Sequence, residues 1–216
     1  MTHRAVLFDL DGTLLDTLAD VGGSMNLVLR QLGLPEPSLE AYKQYVGDGV
    51  ECLVRRVLPA ERCEPATVAQ LGARMREEYG RHWADTTRPY EGVAELLDAL
   101  TARGLPMAVL SNKPENFTQL CVTRLLPQWR FAAVVGQQPA LARKPDPAGA
   151  LEIARRLGVA PAEMLYLGDT NTDMQTATAA GMYPVGALWG FRSAEELLAH
   201  GARALAAHPR DVLPLL

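Results

Sequence analysis

The chain has 216 residues, of which 48% are hydrophobic and 21% charged, and its 25 acidic and 21 basic side chains give a formal net charge of −4. This balance is typical of a globular protein with one large domain, or with one domain that carries an insert, and it argues against disorder. Nucleic-acid-binding proteins usually carry a basic surface, so the weak acidity also argues against nucleic acid as a general partner.

Cysteine usage and hydropathy indicate the compartment. The chain has three cysteines, Cys52, Cys63 and Cys121, without a CxxC pair or a metal-finger spacing, and this pattern fits a reducing environment. No run reaches the roughly 18 apolar residues of a membrane helix, and acidic residues from Asp9 onward interrupt the N-terminus before a signal-peptide core could form. We therefore expect a cytoplasmic protein with no membrane partner.

The first half of the chain predicts one strand followed by helices. Residues 4–8 form a short apolar run that leads directly into Asp9. Apolar residues then recur at spacings of three and four, which is the period of a helix that buries one face. The helices predicted here cover residues 18–32, 39–45 and 50–58, with a fourth that starts at Pro65. We expect residues 16–85 to be wholly helical.

After Pro89 the pattern changes to alternating strands and helices. Strands are predicted at residues 107–110, 132–135, 164–167, 183–187 and near 203–206. Helices are predicted near 92–103, at 114–126, 147–157 and 171–180, and near 194–199. This alternation predicts an α/β fold with a doubly wound, Rossmann-like parallel sheet and helices on both faces. The core would comprise residues 1–15 and 86–216, and residues 16–85 would form an inserted helical cap.

Four polar clusters follow the predicted strands, at the sheet edge where ligands bind in such folds. They are D-L-D-G-T at residues 9–13, S-N-K at 111–113, R-K-P-D-P at 143–147 and G-D-T-N-T-D at 168–173. No single cluster identifies a function. Their predicted convergence at one edge of one sheet indicates a single site.

The acidic residues of these clusters indicate a metal. Asp9 and Asp11 come directly after a buried strand, where two unpaired carboxylates would repel each other and be costly to bury. Mg²⁺ prefers carboxylate and carbonyl oxygens and would remove that difficulty. Asp169, after a neighbouring strand, supplies a third acid.

The remaining polar residues suit a phosphate. Lys144 offers a positive charge, and Ser111 and Asn112, which we expect at the start of a helix, offer hydroxyl and N–H donors. Gly12 lets the backbone approach a ligand closely. Together with the acids, these residues predict a metal-assisted site for a phosphoryl group.

The order and spacing of the four clusters resemble the four motifs of the haloacid dehalogenase superfamily. The resemblance covers nearly the whole chain, including the helical insert after the first strand. The finer pattern, with G-D-G-V at residues 47–50 and L-W-G-F-R at 188–192, is similar to the phosphoglycolate phosphatase branch. Neighbouring branches share most of this pattern.

The resemblance implies roles for the acids. Asp9 would be the nucleophile that forms an aspartyl-phosphate, and Asp11 the general acid and base. The Asp9 side chain, the Asp11 backbone carbonyl and Asp169 would hold Mg²⁺. Asp173 would orient Lys144 or a metal-bound water.

The resemblance also implies which residues hold the phosphate. Ser111, the Asn112 amide, the backbone of Gly12 and Thr13, and Lys144 would position the phosphoryl group and stabilise its charge. The helical cap would close over the site and exclude bulk water.

The implied function is Mg²⁺-dependent hydrolysis of a small phosphomonoester, with 2-phosphoglycolate as the expected substrate. The only partner expected is a small phosphorylated metabolite, and the protein would be a monomer or homodimer. A β-phosphoglucomutase-like mutase, a pyrophosphatase, a nucleotidase and a non-catalytic binding module remain alternatives. The presence of Asp11 argues against the dehalogenase branch, and a cap with Lys43 as its only lysine argues against the phosphonatase branch.

Overall fold

The computed structural model describes residues 3–216, and the chain divides into two compact units. One consists of Met1–Leu15 with Pro89–Leu216, and the other is the continuous segment Asp16–Arg88. The second unit therefore extends three residues beyond the helical cap expected at residues 16–85.

The described residues alternate between strands and helices in the larger unit, and are mainly helical in the smaller one. The strands are β1 (Ala5–Phe8), β2 (Leu15–Asp16), β3 (Arg88–Pro89), β4 (Met107–Pro114), β5 (Ala133–Gln137), β6 (Met164–Gly168), β7 (Tyr183–Ala187) and β8 (Ala204–Ala206). The α-helices are α1 (Leu18–Gln31), α2 (Leu39–Tyr45), α3 (Val50–Val57), α4 (Pro65–His82), α5 (Val93–Ala102), α6 (Glu115–Leu125), α7 (Ala148–Leu157), α8 (Asn171–Ala180) and α9 (Ala194–Ala199). Short 3₁₀ helices cover Ala60–Arg62, Pro161–Glu163 and Pro209–Leu215.

The larger unit is built on a six-stranded sheet in the order β5-β4-β1-β6-β7-β8, and every neighbouring pair is parallel. The predicted α/β class is therefore confirmed. The chain winds outward from β1 through β4 to β5 and then returns to β6 on the other side of β1. Such a reversal of winding opens a crevice at the carboxyl ends of the strands.

Strand register brings the polar clusters to the same level of the sheet. Phe8, the last residue of β1, is paired with Val109 of β4 and Leu167 of β6. The Asp9 N–H continues this ladder and donates to the Leu167 carbonyl at 2.9 Å. All four residues of β1 are fully buried, so Asp9 directly follows an apolar strand at the centre of the sheet.

The smaller unit contains α1 to α4, and its core includes the fully buried Tyr42 of α2. The Ser38 hydroxyl caps α2 by accepting from the Ala41 N–H at 3.3 Å, and Pro65 opens α4 as predicted. The expectation that residues 16–85 contain no strand fails at Asp16, which belongs to the two-residue strand β2 and is paired there with β3.

Within residues 3–216, no helix combines the length and the apolar character that crossing a bilayer requires.

Candidate active site

Lys144 joins two of the predicted acids at the carboxyl edge of the sheet. Its Nζ donates to Asp9 Oδ1 at 2.8 Å, to Asp173 Oδ1 at 2.7 Å and to the Leu110 carbonyl at 3.1 Å. Only 3% of its side chain is exposed. Burial alone would lower the pKa of Lys144, but the charges of Asp173 and Asp9 outweigh this effect and raise it well above its usual range. Lys144 is therefore a fixed positive charge between the two acids.

Asn112 positions the segment that carries Lys144. Its Oδ1 accepts from the Lys144 N–H at 2.9 Å, and its Nδ2 donates to the Lys144 carbonyl at 3.1 Å. The prediction that Ser111 and Asn112 open a helix is wrong: both lie in β4, and α6 begins only at Glu115. The strand continues because β4 stays paired with β5, through an irregularity that follows Leu110.

Asp173 is satisfied by the protein itself. Its Oδ1 accepts from Lys144 Nζ and from the Tyr166 hydroxyl at 3.1 Å. Its Oδ2 accepts from the Thr170 N–H at 3.0 Å and the Thr170 hydroxyl at 2.6 Å, which completes a capping box at the start of α8. A carboxylate offers about four acceptor positions, so these contacts use the whole group. Asp173 is placed to orient Lys144.

Asp169 retains acceptor capacity. Its Oδ1 accepts from the Thr13 hydroxyl at 2.7 Å, and its Oδ2 accepts from the Phe191 N–H at 2.9 Å. Two glycines make room for this carboxylate, because a Cβ at Gly12, where φ is +90°, or at Gly190 would collide with Asp169. Thr170, rather than Asp169, is the N-cap of α8, so helix capping does not account for Asp169.

Three buried acids converge near Lys144. Asp9, Asp169 and Asp173 each offer a carboxylate oxygen, and these oxygens all lie within 4.8 Å of one another. Burial and the charge of Asp173, offset in part by Lys144, raise the pKa of Asp9 to about 7. Burial and the charges of Asp9 and Asp173 raise the pKa of Asp169 well above its usual range. The site therefore has a surplus of negative charge.

The chemistry of these oxygens fits a divalent cation. Among the described residues, the only hydrogen bond to the Asp9 carboxylate comes from Lys144, and each Asp169 oxygen accepts a single bond. Hard carboxylate oxygens suit Mg²⁺. Asp9 and Asp169 are thus the side chains with acceptor capacity left for a metal, whereas Asp173 has none.

Asp11 lies apart from the three-acid cluster and is paired with a lysine that sequence analysis did not select. Lys113 Nζ is 2.9 Å from Asp11 Oδ1 and 3.1 Å from Oδ2. The Asp11 charge contributes to the raised pKa of Asp9, so the two carboxylates are neighbours. The S-N-K motif indicated that Lys113 lies at the end of a strand, but nothing in the motif indicated that its side chain contacts Asp11.

The backbone of Gly12 and Thr13, expected to hold phosphate, is engaged within the loop. The Gly12 N–H donates to the Leu15 carbonyl at 2.9 Å. The Thr13 carbonyl accepts from Trp189 Nε1 at 2.9 Å. In this arrangement Gly12 provides space beside Asp169, and Thr13 orients Asp169 through its hydroxyl. A role of their N–H groups in phosphate binding stays a prediction.

The chain is similar to known proteins over most of its length. A family model described as "Haloacid dehalogenase-like hydrolase" matches residues 6–187. The chain is 42% identical over 181 residues to a phosphoglycolate phosphatase of Thiobacillus denitrificans, which covers 82% of this chain and 80% of that protein. It is 34% identical over 219 residues to a phosphoglycolate phosphatase of Pseudomonas putida, which covers 98% and 79%.

Solved structures resemble the fold over its whole length. The crystal structure of a predicted phosphoglycolate phosphatase from Haemophilus somnus superimposes with a TM-score of 0.91 at 26% sequence identity. The match covers 100% of this chain and 98% of that structure. The arrangement of strands and inserted helices is therefore shared from end to end.

Proposed function

Because the chain belongs to the haloacid dehalogenase-like hydrolase family, we propose that it is a phosphatase that hydrolyses 2-phosphoglycolate to glycolate and phosphate. The family membership predicted from the four motifs is confirmed by the family model and by the relatives. The substrate follows from the activity for which those relatives are named. All of the proposed site residues come from the α/β unit, so we assign the chemistry to that unit.

One observation carries the proposal: Lys144 lies between two buried carboxylates, Asp9 and Asp173, and only Asp173 is otherwise saturated. Asp173 therefore fixes the lysine, while Asp9 keeps an oxygen that can attack. A positive charge beside the nucleophile also attracts a phosphate dianion and stabilises the charge of its transition state.

The first step transfers the phosphoryl group to the protein. An Asp9 oxygen attacks phosphorus, the bond from phosphorus to the alcohol oxygen breaks, and an aspartyl-phosphate forms. Asp11 donates a proton to the departing oxygen. Lys144 neutralises charge on the phosphoryl group throughout this step.

The second step releases phosphate. Asp11, now deprotonated, takes a proton from a water molecule as that water attacks phosphorus. The bond between phosphorus and the Asp9 oxygen breaks, which returns Asp9 to its carboxylate form. Asp11 regains its proton, so one group serves as the acid and then as the base.

Mg²⁺ is part of the proposal, and Asp9 and Asp169 would hold it together with the backbone carbonyl of Asp11. The four acids Asp9, Asp11, Asp169 and Asp173 exceed the two lysines, Lys113 and Lys144, by two formal charges, which one divalent cation would balance. When bound, the cation supplies positive charge to the phosphoryl oxygens and keeps Asp9 ionised.

The proposal places the reaction in the cytoplasm. Within the described residues, Cys52, Cys63 and Cys121 are thiols and not members of a disulfide, and this state is compatible with a reducing compartment. The substrate would be a small phosphorylated metabolite.

The proposal is tested by measuring phosphate release with and without Mg²⁺. The substrates are 2-phosphoglycolate, pyrophosphate, a nucleoside monophosphate and an aryl phosphate, and β-glucose 1-phosphate is assayed for mutase activity. We expect Mg²⁺-dependent turnover with the highest kcat/KM for 2-phosphoglycolate. Asp9→Asn should lower kcat by at least about 10³-fold, because the amide is a poor nucleophile.

Asp98→Asn is the matched control. Asp98 is exposed, and an asparagine there keeps the oxygen that accepts from Trp129 Nε1 at 2.8 Å. It should retain wild-type turnover. Undiminished turnover in Asp9→Asn would falsify the assignment of the nucleophile, and a preference for another phosphoester would replace the substrate.

A further inference from the structure

Lys113 carries a buried positive charge that the steps proposed above do not use. Its ammonium contacts both oxygens of Asp11, at 2.9 and 3.1 Å, and only 5% of the Lys113 side chain and 14% of the Asp11 side chain are exposed. Lysine is almost never buried unless it is paired. The charge is therefore part of the site rather than of the solvated surface.

The backbone around Lys113 is fixed from several sides. Its N–H donates to the Ser111 hydroxyl at 3.2 Å, and its carbonyl accepts from the Thr118 hydroxyl at 3.1 Å. A Cβ at Gly136 would lie only 2.8 Å from the same carbonyl, so the glycine permits β5 to pack closely there. The irregularity in β4 falls between Leu110 and Pro114, and such irregularities re-aim side chains beside active sites.

The two lysines of the site serve different sides of the reaction. Lys144 is held between Asp9 and Asp173, on the side of the nucleophile. Lys113 is held by Asp11, the group that protonates the departing alcohol. Arg192, another buried cation of this unit, is paired with Glu196 at 3.2 Å. The positive charge beside the leaving group therefore comes from Lys113.

The ammonium of Lys113 is within reach of a substituent on the leaving group. An acid that protonates the departing oxygen lies within about 3 Å of it, and Lys113 Nζ is 2.9 Å from Asp11. The ammonium therefore lies no more than about 6 Å from that oxygen. In glycolate the carboxylate is separated from the same oxygen by one methylene group, a distance of about 3 Å.

We propose that Lys113 determines substrate specificity by binding the carboxylate of the leaving hydroxy acid. This inference rests on the proposed function, and it deepens it by naming the residue that distinguishes a phosphorylated hydroxy acid from a neutral phosphate ester. In the free protein the ammonium pairs with Asp11. In the complex it forms a charge-assisted hydrogen bond to the substrate carboxylate, which leaves an Asp11 oxygen available to hold the transferable proton.

The test compares two substrates on two forms of the protein. The substrates are 2-phosphoglycolate and its neutral isostere 2-phosphoglycolamide, and the proteins are wild type and Lys113→Gln. Lys43→Gln is the matched control, since Lys43 lies on the partly exposed surface of α2, outside the α/β unit, and forms an ion pair with Glu40. Circular dichroism and Tm of each variant establish that it is folded. Assays contain saturating Mg²⁺.

We expect wild type to prefer 2-phosphoglycolate over the amide by about 10- to 100-fold in kcat/KM, the usual range for a hydrogen bond to a charged group. Lys113→Gln should reduce that preference at least tenfold, mainly by raising KM for 2-phosphoglycolate. Both substrates should lose some turnover, because Lys113 also contacts Asp11. Lys43→Gln should keep the wild-type preference.

Three outcomes overturn the inference while the phosphatase activity stands. Equal losses on both substrates in Lys113→Gln mean that the lysine acts only through Asp11. Equal kcat/KM values for the two substrates in wild type mean that the carboxylate is not recognised, and this outcome needs no variant. Mg²⁺-dependent turnover of the amide alone refutes the Lys113 assignment and the choice of substrate. Absence of Mg²⁺-dependent turnover on either substrate and on aryl phosphate overturns the proposed function itself.

Discussion

The two units each contain a buried acid network, and the networks differ in how completely the protein satisfies them. In the helical unit, Asp20 of α1 accepts hydrogen bonds from the N–H and hydroxyl groups of both Thr86 and Thr87, at 2.6 to 3.1 Å. In the α/β unit, Asp9 and Asp169 each accept only one or two hydrogen bonds from the described residues, and they lie beside other acids. A buried carboxylate therefore indicates a ligand only when some acceptor positions on its oxygens receive no hydrogen bond from the protein.

The pKa values of the buried acids are shifted in opposite directions in the two units. Burial alone would raise the pKa of Asp20, but the hydrogen bonds from Thr86 and Thr87 outweigh it and leave the pKa lowered. Burial and neighbouring acids raise the pKa of Asp9 to about 7. The helical unit thus stabilises an ionised acid with its own dipoles, whereas the α/β unit lacks the positive charge that its acids need.

Removal of Lys144 should have the largest effect on the α/β network. Lys144→Met leaves Asp9 and Asp173 without their shared cation, and breaking a buried ion pair costs about 3–5 kcal/mol in the free energy of unfolding. We also expect kcat to fall by at least about 10³-fold. Urea denaturation and steady-state kinetics measure the two effects. Wild-type stability in this variant would contradict the view that Lys144 neutralises two buried acids.

Loss of Asp20 should have an intermediate effect. Asp20→Ala leaves the buried donors of Thr87 without their acceptor, which we expect to lower the free energy of unfolding by about 2–3 kcal/mol. Asp20→Asn should cost less, since the amide oxygen can still accept. Urea denaturation of both variants measures the difference. Equal losses would show that the side-chain shape, rather than its acceptor capacity, is what the helical unit requires.

The sequence predicted most helices and strands and brought out the acids of the candidate site, but not the contacts that distinguish the two networks. Strand-end position was enough to select Asp9, Asp11 and Asp169, because parallel strands end at one edge. The pairing of Lys113 with Asp11 joins residues 102 positions apart, and no local pattern reports it. Likewise, Ser111 belongs to β4 because a neighbouring strand pairs with that segment, which local turn and cap signals do not reveal.

In the metal-free protein, the contributions of the two networks to folding stability should change in opposite directions with pH. Because folding lowers the pKa of Asp20 from 3.8, its stabilising contribution is complete above pH 3.8 and is lost as the pH falls through the folded value. Because folding raises the pKa of Asp9 from 3.8 to about 7, its contribution is complete below pH 3.8 and is lost as the pH rises to about 7.

Thermal unfolding in EDTA between pH 3 and pH 8 measures this difference. The destabilisation caused by Asp20→Asn should shrink at low pH, whereas Asp9→Asn should stabilise the protein relative to wild type most clearly near pH 8. Parallel pH profiles for both variants and wild type would contradict the opposite signs.

The smallest effect expected is on Mg²⁺-dependent stabilisation. Bound Mg²⁺ should raise Tm by mass action, by the equivalent of about 1.4 kcal/mol at a concentration 10 times Kd. The rise should be larger at pH 8 than at pH 5.5, because a proton on Asp9 competes with the metal below about pH 7. Differential scanning calorimetry measures it, and an equal rise at both pH values would show that the metal does not contact Asp9.

The central claim is that the acids of the α/β unit are left unsatisfied for a metal, whereas Asp20 is not. Isothermal titration calorimetry with Mg²⁺ at pH 7.5 tests it most directly, on wild type, Asp169→Asn and Asp20→Asn. We predict one site in wild type, at least about tenfold weaker binding in Asp169→Asn, and wild-type affinity in Asp20→Asn. Binding that is unchanged in Asp169→Asn, or absent from wild type while phosphatase activity persists in EDTA, would contradict the account.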